Sequence, residues 1–122
     1  MNLTPSNGWP TAPTFVFRPE KAQAFGVPMP DGSFSVQTGS TAMRNGSPKI
    51  KRDRSLRDEL VRKGVLVPDV DSELFRFARE HRFNSSSQAA GVVKDGNASG
   101  PSLWKDEKSG RTLKDFLSSS RE

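Results

Sequence analysis

Cysteine and tyrosine are absent from this chain of 122 residues, and histidine occurs only once, as His81. Without cysteine there are no disulfide bonds and no thiolate metal ligands, which fits a reducing compartment. No apolar run approaches the roughly 18–20 residues of a membrane-spanning helix. The first residues lack the basic and apolar regions of a secretory signal. We therefore expect a cytoplasmic protein with no membrane partner.

Catalytic and metal-binding motifs are also scarce. His81 lies in an Arg-Glu-His-Arg run without a nucleophile motif, and we interpret it as an exposed polar residue. The alternating carboxylates Asp69, Asp71 and Glu73 lack the glycine and the distal glutamate of a calcium loop. The sequence thus predicts a protein that is not an enzyme and holds no metal or cofactor, with a hydrolase as the least favoured alternative.

The hydrophobic side chains suffice for one small core. Phe, Leu, Val and Ile make up 26 of the 122 residues, just above the ~20% below which chains tend to remain disordered. Residues 1–13 contain three prolines and no alternation, which predicts a flexible N-terminal arm, and residues 118–122 are expected to fray. Residues 14–117 are expected to form a single α+β domain, with a hairpin-rich antiparallel sheet of four or five strands and three short helices.

Apolar alternation and turn residues locate the expected strands. Residues 15–17 and 23–27 come before a Pro-Met-Pro-Asp-Gly turn, and residues 33–38 follow it, completing a hairpin. In the last of these strands we expect Phe34 and Val36 to face inward and Ser35 to face outward. Residues 39–54 are interpreted as a loop, and further extended segments are expected at residues 65–67, 74–77 and 103–104.

Three helices are predicted from capping residues and from apolar side chains at i, i+3, i+4 spacing. They begin at Ser55, at Ser85 and at Thr112, and the second is expected to end at Gly96. Arg57 lies on the apolar side of the first helix, so it either pairs with a buried carboxylate or reaches past the helix to a ligand. Of these two interpretations we favour the buried pair.

Positive charge is concentrated in one stretch. The chain has a net charge of +5, and residues 44–64 alone hold eight basic and three acidic side chains. Such a concentration is typical of a surface that binds a polyanion, although a solvated basic loop is the alternative. The side chains that we expect to contact phosphates are Arg44, Lys49, Lys51, Arg52, Arg54 and Arg57.

Two further groups of residues are candidates for a nucleic-acid site. Ser85, Ser86 and Ser87 begin a helix, where free N–H groups and the helix dipole attract an anion. The alternative is that Ser85 only caps the helix. Trp104, followed by Lys105, has a ring that is able to stack on a base. Packing of Trp104 in the core is the interpretation that we favour.

Ordered motifs between residues 23 and 117 resemble a known bacterial family. D-G-S-F-S-V at residues 31–36 resembles its first hairpin, and residues 56–66 resemble its first helix and exit. F-N-S-S-S-Q-A-A at residues 83–90 resembles its F-x-S-P-S-x-A-A segment, with Ser86 in place of proline. W-K at residues 104–105 and G-R-T-L at residues 110–113 resemble its ending. The family is a domain of unknown function, found at the C-terminus of some GIY-YIG nucleases and with restriction–modification components.

The same pattern is similar to a domain attached to restriction enzymes and adenine methyltransferases, which is thought to read modified DNA. The resemblance implies a link to DNA, whereas the nuclease domain itself is not expected in a chain without tyrosine. We therefore predict a DNA-binding accessory domain without enzymatic activity, whose partner is DNA, modified or unmodified. The alternative is a protein-interaction module that docks onto a nuclease or methyltransferase.

Overall fold

The computed structural model describes residues 13–45 and 54–119. Within these ranges the chain forms eight strands and four helices, which confirms the α+β class. The expected four or five strands and three helices were too few, because elements of two to four residues show no measurable periodicity. The strands are β1 (Phe15–Phe17), β2 (Ala24–Pro28), β3 (Phe34–Val36), β4 (Thr41–Met43), β5 (Leu66–Pro68), β6 (Leu74–Phe77), β7 (His81–Phe83) and β8 (Lys105–Asp106). The helices are α1 (Arg54–Arg62), α2 (Ser86–Lys94), α3 (Gly100–Leu103) and α4 (Leu113–Ser119).

The strands form two antiparallel sheets, one with the order β7-β3-β2-β1-β8 and one with the order β4-β6-β5. Gly26 in β2 lies opposite Phe15 on one side and Val36 on the other. A Cβ atom at this position would lie 2.2 Å from a ring carbon of Phe34. The larger sheet therefore requires glycine here, since no side chain fits beside the buried ring.

The predicted hairpin is formed by β2 and β3. Its turn is closed by Gly32, whose φ of 94° favours glycine, and by Asp31, whose carboxylate accepts a hydrogen bond from the Ser33 backbone. Ser35 was expected to face solvent, and this was wrong. Ser35 is buried, and its hydroxyl donates to the carboxylate of Glu80, which satisfies the polar group inside the fold.

Both ends of α2 are capped. The Ser85 hydroxyl accepts from the Gln88 backbone N–H at 3.0 Å, which confirms the predicted capping box at its first position. The helix was expected to end at Gly96, but its C-cap residue is Asp95, one position earlier. Asp95 adopts the left-handed conformation, with φ of 60°, and its backbone N–H donates a hydrogen bond to the Gly91 carbonyl. Aspartate tolerates this conformation better than most residues, and it places the Asp95 side chain at the C-terminal end of the helix.

The core surrounds α2, which packs against β3, β4, β7 and α3. All residues from Ala89 to Val93 are buried. Trp104 is fully buried, and its ring centroid lies 4.5 Å from that of Phe34 and 5.6 Å from that of Phe17. Aromatic contacts at these separations add about 0.5–1.5 kcal/mol each beyond the area they bury.

Several expectations about local structure need correction. Residues 103–104 are not a strand, because α3 ends at Leu103 and the extended segment begins only at Lys105. The predicted loop of residues 39–54 contains β4, and His81 is half-buried in β7 rather than exposed. Helix α4 ends at Ser119, and the rest of the predicted tail, residues 120–122, lies outside the described residues. Most of the predicted arm, residues 1–12, lies outside the described residues.

Candidate nucleic-acid interface

A cleft of about 480 Å³ opens beside α1 and is rich in arginine. Four arginines line it, together with two aspartates, and the apolar side chains Val61 and Phe75 form part of its wall. The four are Arg44, Arg54, Arg57 and Arg62. Three of them were predicted from the sequence as phosphate contacts, and the structure brings these three together.

One stripe of α1 supplies three of the nine residues that line the cleft. Arg54, Asp58 and Arg62 follow one another at intervals of four residues, and side chains at this spacing share a helix face. Within the described residues, neither Arg54 nor Arg62 forms an ion pair or a side-chain hydrogen bond. Both guanidinium groups are on exposed residues and face the cleft with their donors available to a ligand.

Arg57 is the structural member of the group. Its residue is only 5% exposed, and its Nε lies 3.2 Å from Asp95 Oδ1. It donates to the carbonyls of Val92, Met43 and Arg44, the last two at 2.8 and 3.1 Å. Burial lowers the pKa of the Arg57 guanidinium, and the charge of Asp95 opposes this shift. The buried pair that we favoured is confirmed, and it joins α1, β4 and the end of α2.

Arg44 lines the cleft with a guanidinium that already contacts the protein itself. Its guanidinium lies 4.9 Å from the centroid of the Phe75 ring, and one terminal nitrogen donates to the Leu74 carbonyl at 3.2 Å. Its Nε is buried and has no hydrogen-bond partner among the described residues. A buried donor without an acceptor costs about 1–3 kcal/mol, and this nitrogen has almost no surface that a ligand in the cleft could contact.

The remaining predicted residues lie elsewhere. Lys49, Lys51 and Arg52 are outside the described residues. The Ser85–Ser87 cluster lies at the start of α2, whereas the Arg57–Asp95 pair lies at its end. Nine helical residues separate the two ends, a distance of about 13 Å at ~1.5 Å per residue. The arginine cleft and the serine cluster therefore do not form one pocket.

The serine cluster is occupied by the protein itself. Trp104 Nε1 donates to the Ser86 carbonyl at 3.0 Å, and the Gly100 N–H donates to the Ser87 hydroxyl at 2.9 Å. Gly100 lies so close that a Cβ there would be 2.3 Å from the Ser86 carbonyl carbon. The indole of Trp104 has no exposed surface. Its packing role is confirmed, and it offers no face on which a base could stack.

Lys105 lines a second groove, of about 450 Å³, between β1 and β8. Arg18 is the other basic residue there, and Asp106 and Glu107 line the same groove. Two acidic side chains thus oppose two basic ones, and no arginine cluster is formed. Of the two openings, the cleft beside α1 is the one with a surplus of positive charge.

Sequence reasoning missed six residues that line the cleft: Asn45, Asp58, Val61, Arg62, Phe75 and Asp95. Asp58 and Arg62 could have been found, because both lie at multiples of four residues from Arg54. Phe75 lies between Leu74 and Phe77, which are buried, and is itself half-buried. Nothing in a strand this short indicates that its ring is shared by two guanidinium groups.

Two other properties concern the described residues only. No group of three or more His, Asp or Glu side chains among them has the geometry to hold a metal ion. None of their helices is long and apolar enough to cross a membrane.

A protein-family model matches residues 15–117, and its description is "domain of unknown function (DUF4357)". Since the match covers most of the chain, the protein belongs to this family. Comparison with curated proteins and comparison with solved structures gave no significant match.

Proposed function

We propose that this DUF4357 domain binds DNA through its phosphate groups, without enzymatic activity of its own. The observation that carries the proposal is the cleft beside α1, in which four arginines outnumber two aspartates. One of those aspartates, Asp95, is already paired with Arg57 inside the protein. The charge that remains is positive and faces solvent, which suits a polyanion.

The type of cation supports phosphate as the ligand. A guanidinium presents its donors in a planar fork that matches two phosphate oxygens, and it stays charged at every physiological pH. Arg54 and Arg62 hold such forks on one stripe of a helix, about 12 Å apart along the axis at ~1.5 Å per residue. They are placed to contact different phosphates, while Arg44 lines the same cleft beside Phe75.

The finer assignment rests on the resemblance of the sequence motifs. Domains of this pattern occur at the C-terminus of GIY-YIG nucleases and with restriction–modification components, and a similar domain is linked to modified DNA. We propose that this chain is an accessory domain of such a system and that it holds a nuclease or a methyltransferase on DNA. A non-enzymatic role also fits the absence of a nucleophile motif around His81.

Charge-matched variants test the proposal. The double variant Arg54→Ala and Arg62→Ala removes two charges from the cleft, and alanine preserves the helix. The control Lys108→Ala and Lys114→Ala removes the same charge from exposed residues outside the cleft. Affinity for a short DNA duplex and for a single strand is measured by fluorescence anisotropy at several salt concentrations.

We expect the cleft variant to flatten the slope of log K against log salt. The change should be about 0.9 for each phosphate that the variant no longer neutralises on duplex DNA, or about 0.7 on a single strand. The control should leave the slope unchanged. Absence of binding to both DNA forms at low salt would overturn the proposal, as would equal effects of the two double variants. Either result would favour the alternative, docking onto a nuclease or methyltransferase.

A further inference from the structure

The arginine cleft has an apolar wall that phosphate binding does not require. Val61 and Phe75 line it beside the guanidinium groups, and Val61 is 40% exposed. Among the described residues, Val61 and Val70 are the large hydrophobic side chains that are most exposed. A phosphate gains nothing from apolar surface, since its oxygens need donors. The wall therefore points to a ligand with an apolar face as well as a negative charge.

Phe75 has two guanidinium groups over its ring. The guanidinium carbon of Arg44 lies 4.9 Å from its ring centroid, and that of Arg57 lies 5.6 Å away. Unpaired bases stack on aromatic rings and on guanidinium planes alike. The stacked Arg44 and Phe75 side chains combine both types of surface, and Arg54 and Arg62 lie on the helix that forms the adjoining wall.

The volume of the cleft is large enough for a ligand bigger than a single phosphate group. At about 480 Å³ it falls within the ~300–1,000 Å³ of pockets that hold small organic ligands. A DNA duplex keeps its bases stacked inside and presents phosphates on a convex surface, so it would leave the concave apolar wall empty. A nucleotide outside the stack supplies a base for the wall and phosphates for the helix.

We infer that the cleft holds one unpaired nucleotide of single-stranded DNA, with its base against Val61 and the stacked Arg44 and Phe75 side chains and its phosphates on Arg54 and Arg62. This inference rests on the proposed DNA binding. It adds a preference for unpaired over paired DNA, and it assigns that preference to the base rather than to the backbone.

Three probes with the same number of phosphates test it in the full chain: an oligothymidine, a duplex, and an oligomer of abasic sites. The oligothymidine should bind at least about fivefold more tightly than the abasic oligomer, because stacking of one base is worth that much or more. It should also bind more tightly than the duplex. Equal affinity for the oligothymidine and the abasic oligomer would overturn the inference, as would tighter binding of the duplex.

A variant of Phe75 tests whether the preference for a base arises in this cleft. Phe75→Leu keeps an apolar side chain against the core but removes the ring, and the ratio of oligothymidine to abasic affinity should fall to near one. The ratio cancels any change that the variant causes in contacts with phosphates, because both oligomers carry the same number of them. A ratio that Phe75→Leu leaves unchanged would also overturn the inference. If none of the three probes binds, the proposed DNA binding itself fails, whereas absence of the base preference alone leaves it intact.

Discussion

Replacing Asp95 with asparagine should destabilise the domain by about 3 kcal/mol. Asp95 and Arg57 are 3% and 5% exposed, and their side chains meet at 3.2 Å. The substitution keeps the size of the side chain, and asparagine tolerates the left-handed backbone at this position. What it removes is the negative charge, so the buried guanidinium is left without a counter-ion.

The magnitude follows from what remains around Arg57. Breaking a buried ion pair by removing one partner costs about 3–5 kcal/mol. Three backbone carbonyls still accept hydrogen bonds from the guanidinium, which favours the lower end of that range. For a domain of this size, a destabilisation of about 3 kcal/mol lowers the melting temperature by about 10–15 °C.

Urea denaturation followed by circular dichroism measures the change in the free energy of unfolding. Asp58→Asn is the matched control, since Asp58 is exposed in the same cleft and its replacement should cost less than about 0.5 kcal/mol. In addition, the double variant Arg57→Met and Asp95→Asn should be destabilised by less than the sum of the two single variants. A change below about 1 kcal/mol for Asp95→Asn would refute the reasoning, because it would mean that water reaches the pair.

Two further predictions concern packing and pH. Trp104→Ala should cost about 3–5 kcal/mol in the free energy of unfolding by urea, because the ring is fully buried against Phe34; a cost below about 1 kcal/mol would contradict the packing. Hydrogen bonds from Ser33 lower the pKa of the Asp31 carboxyl group from an ordinary 3.8 to about 2. The contribution of Asp31 to folding stability is therefore fully present above pH 3.8 and is lost as the pH falls towards 2. Ser33→Ala should raise this pKa in an NMR pH titration of the carboxyl group, and an unchanged value would contradict that cause.

The parts of the fold that the sequence predicted are those encoded locally. The hairpin turn depends on Asp31 and Gly32, and the start of α2 depends on Ser85, all within a few residues of the groups they contact. Arg57 was placed correctly because its burial follows from its position on a helix face. In each case the predicted residue and the groups that determine its conformation or burial lie within one short stretch of chain.

What escaped prediction depends on contacts between distant segments. Asp95, the partner of Arg57, lies beyond α2 in the sequence, and it is brought back by a left-handed turn. Strand β7 consists of His81-Arg82-Phe83, which has no apolar alternation, and it exists because it pairs with β3. Tertiary pairing of this kind overrides local propensity.

The residues of the candidate site also fall into those that the sequence predicted and those that depend on contacts between distant segments. The concentration of arginines was visible as charge, but the sequence could not show that the serine cluster is covered by α3. The need for glycine at position 100 is understood only from the structure, in which the backbone of Ser86 lies against it. Phe75 joined the site because β6 pairs with β4, the strand that precedes Arg44.

NMR titration of the ¹⁵N-labelled chain with a short DNA single strand tests the central claim most directly, because it locates the binding surface residue by residue. We predict that the largest changes occur in the Nε–Hε signals of Arg54 and Arg62 and in the amides of α1. Signals of Lys108 and Lys114, outside the cleft, should stay in place. Changes centred on Ser85–Ser87 or on the groove of Lys105, with α1 unaffected, would contradict the account.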